Sequence, residues 1–128
     1  MIEAFFAKYG VPVALAVVAF LTPIHTLMLV VGALMILDLI TGVWAAVKRG
    51  EPITSRRMGR TVGKMLVYQL AIISGYLIEY GLGGLLPVSK LVGAAITLVE
   101  GTSVLENLNK LSGVNILKSV LDRLTSQK

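Results

Sequence analysis

Apolar residues run along this chain in long blocks separated by short polar breaks. The first block, Val11 to Val47, is interrupted at Thr22, Pro23, His25, Thr26, Asp38 and Thr41. As one straight helix it would reach roughly 55 Å, against about 30 Å of bilayer hydrocarbon. The pattern therefore predicts two helices with a tight reversal between them. Thr22-Pro23 supplies the break: Thr suits a helix N-cap, and Pro suits the first helical position, where a missing N–H is harmless. The predicted spans are about 4–21 and 23–47. Ile2, Phe5, Phe6 and Tyr9 also share one helical face, with Glu3 and Lys8 off it. In the alternative, residues 2–9 lie flat in the membrane interface and Pro12 begins a shorter element.

A basic stretch follows, predicted as a loop over 48–64. It holds Lys48, Arg49, Arg56, Arg57, Arg60 and Lys64 against Glu51 alone. Gly50 and Pro52 make a turn, and Thr54 or Ser55 suits the cap of a new helix. A third span runs over about 65–86 and is closed by Gly81, Gly83, Gly84 and Pro87; a fourth covers about 88–105. In the remaining tail, 106–128, Val114, Leu117, Val120, Leu121 and Leu124 form one face with Lys118, Asp122 and Arg123 off it, the pattern of a short amphipathic helix. The resulting fold class is all-α: an integral membrane protein of helical hairpins with about four transmembrane helices, or three in the alternative, forming one membrane domain over 1–128.

Composition supports the membrane assignment. Of 128 residues 55% are hydrophobic and 15% charged, and the mean hydropathy is +0.83. Soluble domains average about 25% charged residues, and so short a chain could not hide this much apolar surface from water. A soluble enzyme, a disordered tail and a disulfide scaffold are excluded, the last also because there is no cysteine. The N-terminus does not read as a signal peptide, since Lys8 follows Ile2, Phe5 and Phe6 and no small-residue cleavage site comes after it. The net charge of +5 marks the cytoplasmic side and anionic lipid rather than nucleic acid. With four spans every Lys and Arg except Lys90 falls inside, from Lys8 to Lys128, and both termini are cytoplasmic; three spans move only Lys8.

Chemistry-bearing residues inside apolar segments are few. An acid at the bilayer centre costs about 2.5–3.5 kcal/mol on insertion scales, so Asp38 and Glu100 should face protein or water. Asp38 precedes Lys48 by ten residues, as Glu100 precedes Lys110, and each has a hydroxyl one turn on, Thr41 and Ser103. These four predict a polar layer in the cytoplasmic half, serving either as a pore lining or gate or as a helix–helix hydrogen-bond cluster. Glu100, Ser103, Asn107 and Lys110 continue it as a stripe, and Glu106 to Lys110 is a favourable i, i+4 pair. Glu79 sits near the outer interface and reads as solvated. Arg56, Arg60 and Lys64, with Arg57 beside them, form a basic ridge suited to lipid headgroups, with a role in gating as the other option. Gly42, Gly59 and Gly63 allow close helix approach. Trp44 and Tyr68 read as interface anchors. His25 has no second ligand near it, so no metal site is expected. No cofactor and no catalytic constellation are indicated.

The order Asp38-Leu39-Ile40-Thr41-Gly42, Lys48-Arg49-Gly50, Ser55, Gly59, Gly63-Lys64, then Glu100, Ser103, Glu106-Asn107 and Gly113-Val114 resembles the phage holin family that includes the holin-like proteins of clostridial toxin release. It departs at Met65, where a second Lys is common, and at Leu117, where a Pro usually follows the Gly-Val segment. The resemblance, over about residues 37–117, implies a lysis protein of the bacterial cytoplasmic membrane. Its subunits would form a homo-oligomer and permeabilise the membrane so that an endolysin, or a toxin, can pass without direct contact. The partners implied are membrane lipids and further copies of the chain, and no nucleic acid. Two other readings stay open: a small four-helix ion-coupled exporter or channel, whose class usually carries a carboxylate in the first span, absent here, and a non-conducting membrane scaffold.

Overall fold

The structure is a computed structural model that describes residues 1–127. Lys128, counted above among the inner basic residues, lies outside the described residues. Every secondary-structure element among the described residues is a helix. A short α1 (Ile2–Phe5) runs through a wider π turn, Phe6–Gly10, into α2 (Val11–Leu21). A 3-10 turn, Thr22–Ile24, then leads into α3 (His25–Lys48). Next come α4 (Ser55–Gly81), α5 (Val88–Ser112) and α6 (Ile116–Ser126). Three helical runs are long and apolar enough to cross a membrane: Ile2–Lys48, Ser55–Gly81 and Val88–Ser112. Three is the lower of the two counts that the sequence allows.

The local chemistry explains the continuous first run. Pro12 has no N–H and its ring crowds the carbonyl four residues earlier; the widened turn directly before it absorbs this strain, as π-bulges commonly do. At Thr22-Pro23 the expected tight reversal does not form. Thr22 does not cap α3; its Oγ1 donates back to the Val18 carbonyl at 3.0 Å, taking up an acceptor at the end of α2. Leu21 and Ile24 relax to ψ near zero (−3° and 3°). The result is a kinked continuation.

The basic stretch is loop only from Arg49 to Thr54. Thr54 caps α4, accepting from the Arg57 N–H at 3.3 Å, so Ser55 to Lys64 is already helix. Gly83 and Gly84, at φ 62° and 76°, turn the chain between α4 and α5 in a conformation that other residues rarely adopt. At the far end α5 runs on to Ser112 and stops at Gly113 in the left-handed region, the usual helix-ending glycine. Asn115 caps α6 through the Lys118 N–H at 2.9 Å, and the Val120, Leu121 and Leu124 face of α6 is exposed, as expected for a helix at a membrane surface.

Helices α3, α4 and α5 pack into a three-helix core, with α3 and α5 parallel. The core centres on Ile24, Val31, Met35, Ile72 and Ile96. Two glycines set its closest approaches. A Cβ on Gly93 would lie 2.5 Å from Leu27, and one on Gly75 would lie 3.2 Å from the Ser89 backbone. By contrast, a Cβ on Gly59 or Gly63 would meet no neighbouring element within 4 Å among the described residues, so the helix approach expected there is not made within one chain. Every residue from Val11 to Phe20 is exposed. The tip of α2 alone is fastened, Phe20 stacking on Tyr76 and Tyr80 at 5.3 Å each.

Because the neighbour of Gly75 is backbone, it cannot yield to a larger side chain. Gly75→Val should destabilise the purified protein by roughly 1–3 kcal/mol, the usual cost of overpacking. Gly59→Val should stay within about 0.5 kcal/mol, as surface changes do. Unfolding of both variants in the same mild detergent checks this, and equal losses would remove the α4–α5 contact from the account.

Candidate functional site

Two polar clusters lie inside the helix core, one turn apart along α5. The first joins α3 to α5. Asp38 Oδ1 accepts from Ser103 Oγ at 2.6 Å and from Asn107 Nδ2 at 3.0 Å. Asn107 Nδ2 also lies 3.1 Å from Thr41 Oγ1, while the Thr41 hydroxyl donates to the Leu37 carbonyl at 2.7 Å. Gly42 lies at this crossing, where a Cβ would be in ordinary contact with Asn107 Nδ2 at 3.5 Å. Every donor that Asp38 receives here is uncharged, so the acid is held by charge-assisted hydrogen bonds between helices.

The second cluster joins α4 to α5. Glu100 is fully buried, and Lys64 Nζ lies 2.6 Å from its Oε1. The lysine side chain is 39% exposed against 1% for the glutamate, so the ammonium reaches inward from the rim along its stem. Its Nζ also lies 5.5 Å from the Tyr68 ring centroid, where the ring face attracts a cation. Neither Glu100 oxygen has a hydrogen bond of good geometry, which leaves the ion pair as its compensation.

The residues singled out from sequence thus divide. Asp38, Thr41, Ser103 and Asn107 meet, with Gly42 at the crossing; Glu100 is adjacent but takes Lys64 from the basic ridge. Arg56, Arg57 and Arg60 remain exposed, and Arg57 lies 3.9 Å from Glu51. Glu106 and Lys110 are exposed and form no ion pair with each other among the described residues. Glu79 is engaged rather than simply solvated. Its Oε2 accepts from the Ser89 N–H at 3.1 Å and hydroxyl at 2.6 Å, placing an anion at the start of α5, where the helix dipole favours it.

Gln69 escaped sequence reasoning. Its Nε2 donates to the Met28 carbonyl at 3.1 Å, a cross-helix contact beside Gly32. A lone amide in the middle of an apolar span was the available signal. At the inner end Lys48 Nζ donates to the Leu111 carbonyl and ties the ends of α3 and α5 together.

A cavity of about 160 Å³ adjoins the first cluster, between α3, the 49–54 loop, α4 and α5. Among the described residues no group of three or more His, Cys, Asp or Glu side chains is placed to hold a metal ion. Nothing here forms a nucleophile–base pair. What the arrangement can do is join helices inside a membrane and admit polar groups locally.

Removing one member of a buried ion pair leaves the other uncompensated, at roughly 3–5 kcal/mol when burial is complete. Lys64→Met should cost less than that, since the lysine is partly exposed. The double change Lys64→Met, Glu100→Leu should recover most of the loss. A double-mutant cycle on unfolding in bicelles measures the coupling, and additive losses would mean that the pair contributes nothing.

No curated protein and no solved structure matches the chain. A profile of the bacteriophage holin family matches residues 15–126, which takes in both polar clusters and every spanning segment apart from the start of the first run. A multi-pass helical chain that holds Asp38 and Glu100, the acids of its apolar segments, between helices is in accord with that match, and the chain belongs to the bacteriophage holin family.

Proposed function

We propose that this holin accumulates in the cytoplasmic membrane of the bacterial host, assembles into homo-oligomers and permeabilises the membrane so that an endolysin passes to the cell wall. The observation that carries this reading is the combination of polar clusters held between the helices of the core with a long apolar surface, residues 11–20, that the chain itself does not cover. Lipid covers such a surface while the protein is dispersed, and further copies do so on assembly. The basic side, with the 49–54 loop and α6, is assigned to the cytoplasm by the excess of Lys and Arg there. Asp38 and Glu100 act in this reading by setting how firmly α3, α4 and α5 hold together, and so when the dispersed state gives way. The endolysin needs no direct contact with the chain, and the role requires no enzymatic activity.

One observation favours a second reading. An ion-coupled exporter or channel needs a carboxylate open to a cavity within its span, and Asp38 lines such a cavity. Resistance to a toxic cation, without lysis, would distinguish it.

Expression in bacteria with a co-expressed endolysin and a membrane-potential dye tests the proposal. Abrupt depolarisation followed by lysis is expected. Full accumulation in the membrane with unchanged potential and no lysis overturns it. Asp38→Ala and Glu100→Ala should each shift the time of lysis, and wild-type timing in both would remove the clusters from the mechanism.

A further inference from the structure

The two acids of the core differ in one respect that the lysis role does not require. Glu100 is sealed, with both oxygens out of solvent reach. Asp38 is only half-buried. Its Oδ1 is engaged, but among the described residues no protein donor reaches Oδ2, and that oxygen is not among the enclosed ones. The cavity of about 160 Å³ lies against it, walled by Asp38, Leu39 and Val43 of α3, Arg57 and Thr61 of α4, and Ser103 of α5. A carboxylate, a guanidinium and two hydroxyls share this wall, and its volume holds several waters.

The geometry points to a water-filled, blind-ended crevice inside each subunit, open on the side of the basic loop and ending at Asp38. Ile53 of the loop and Arg57 in the first turn of α4 line it and are both exposed, which puts the mouth on their side. From the level of Lys48 to Asp38 is ten residues, or about 15 Å along α3, which is half the hydrocarbon thickness. Just beyond Asp38 the path meets Met35 and then Val31, with Ile72 and Ile96 across from them, all buried and apolar. Acyl chains could fill the space only by leaving the Asp38 Oδ2 without a partner, which costs far more than admitting water. Asp38 and Arg57 carry opposite charges on one wall, so the crevice takes water rather than trapping an ion. The crevice belongs to the single subunit and exists before any lesion opens. The inference rests on the membrane assignment and is independent of whether the chain lyses cells.

The chain has no cysteine, so single cysteines introduced at Leu39, Val43 and Thr61 are unique probes. Ile40, 54% exposed on the outer face of the same turn, is the control at equal depth. A membrane-impermeant thiosulfonate reacts with the hydrated thiolate, so in vesicles exposing the basic side, held below the lysis threshold, Leu39→Cys, Val43→Cys and Thr61→Cys should react at least about tenfold faster than Ile40→Cys. Reaction from the opposite side with the same contrast also supports the crevice and reverses the assigned orientation. If Leu39→Cys and Val43→Cys react no faster than Ile40→Cys while Arg57→Cys at the mouth does react, the crevice is dry and the inference fails. Rapid reaction at all positions, Ile40→Cys included, overturns it together with the membrane assignment. A variant that labels as expected but never lyses leaves the crevice standing and counts against the lysis role instead.

Discussion

A carboxylate placed among apolar helices must find a partner, and this chain meets that requirement at two adjacent levels of α5. Asp38 takes uncharged donors, Ser103 and Asn107, and retains contact with a polar cavity. Glu100 takes one cation, Lys64, and is closed off. The first solution binds α3 to α5 and the second binds α4 to α5, so α5 is the element on which the others are assembled. Lys48 at one end and Glu79 at the other complete the attachment, each satisfying backbone groups at a terminus of α5.

The two levels differ in what holds them. Hydrogen bonds from Ser103 and Asn107 are short-ranged and directional, so they fix the register of α3 against α5. The Lys64–Glu100 pair gains its strength from exclusion of water, and this depends on α4 staying seated. Below Lys64, toward the loop, α4 has no such seat: Ser55 to Arg60 is exposed, and a Cβ on Gly59 or Gly63 would meet no neighbouring element within 4 Å among the described residues. The first two turns of α4 thus stand away from the core at the level where the cavity opens.

Much of this was legible in the sequence for a definite reason. Charge in an apolar segment is rare and expensive, so Asp38 and Glu100 announced themselves, and counting from Lys48 and Lys110 put them near the same depth of two parallel helices. Spacing also gave Thr41 and Ser103 as companions on the right faces. It could not say which acid would take which partner. That depends on the register between α3 and α5 and on the reach of the Lys64 stem, and both are tertiary. The same holds for Gly75 and Gly93, whose neighbours are backbone and side chain from other helices. The expected reversal at Thr22-Pro23 rested on assigning the Thr hydroxyl forward as a cap. A Thr hydroxyl can equally bond back to the carbonyl four residues earlier, and here that local competition extends the helix.

The unequal distribution of polar groups constrains what an assembly can be built from. From Val11 to Leu21 there is no side chain with a hydrogen-bonding group. A water-filled lesion lined by α2 would therefore be apolar throughout, and narrow apolar passages expel water. Polar lining has to come from α3, α4 or α5. Within α3 and α5 the polar side chains of the spans are largely spent on each other. On α4 the ridge of Arg56 and Arg60 stands exposed at the inner end of the helix, while the Gln69 oxygen is buried and has no partner among the described residues. If subunits assemble around a lesion as proposed, its wetted surface on α4 is drawn from groups freed once the Lys64–Glu100 pair has parted, with α2 left to face lipid or its own copies.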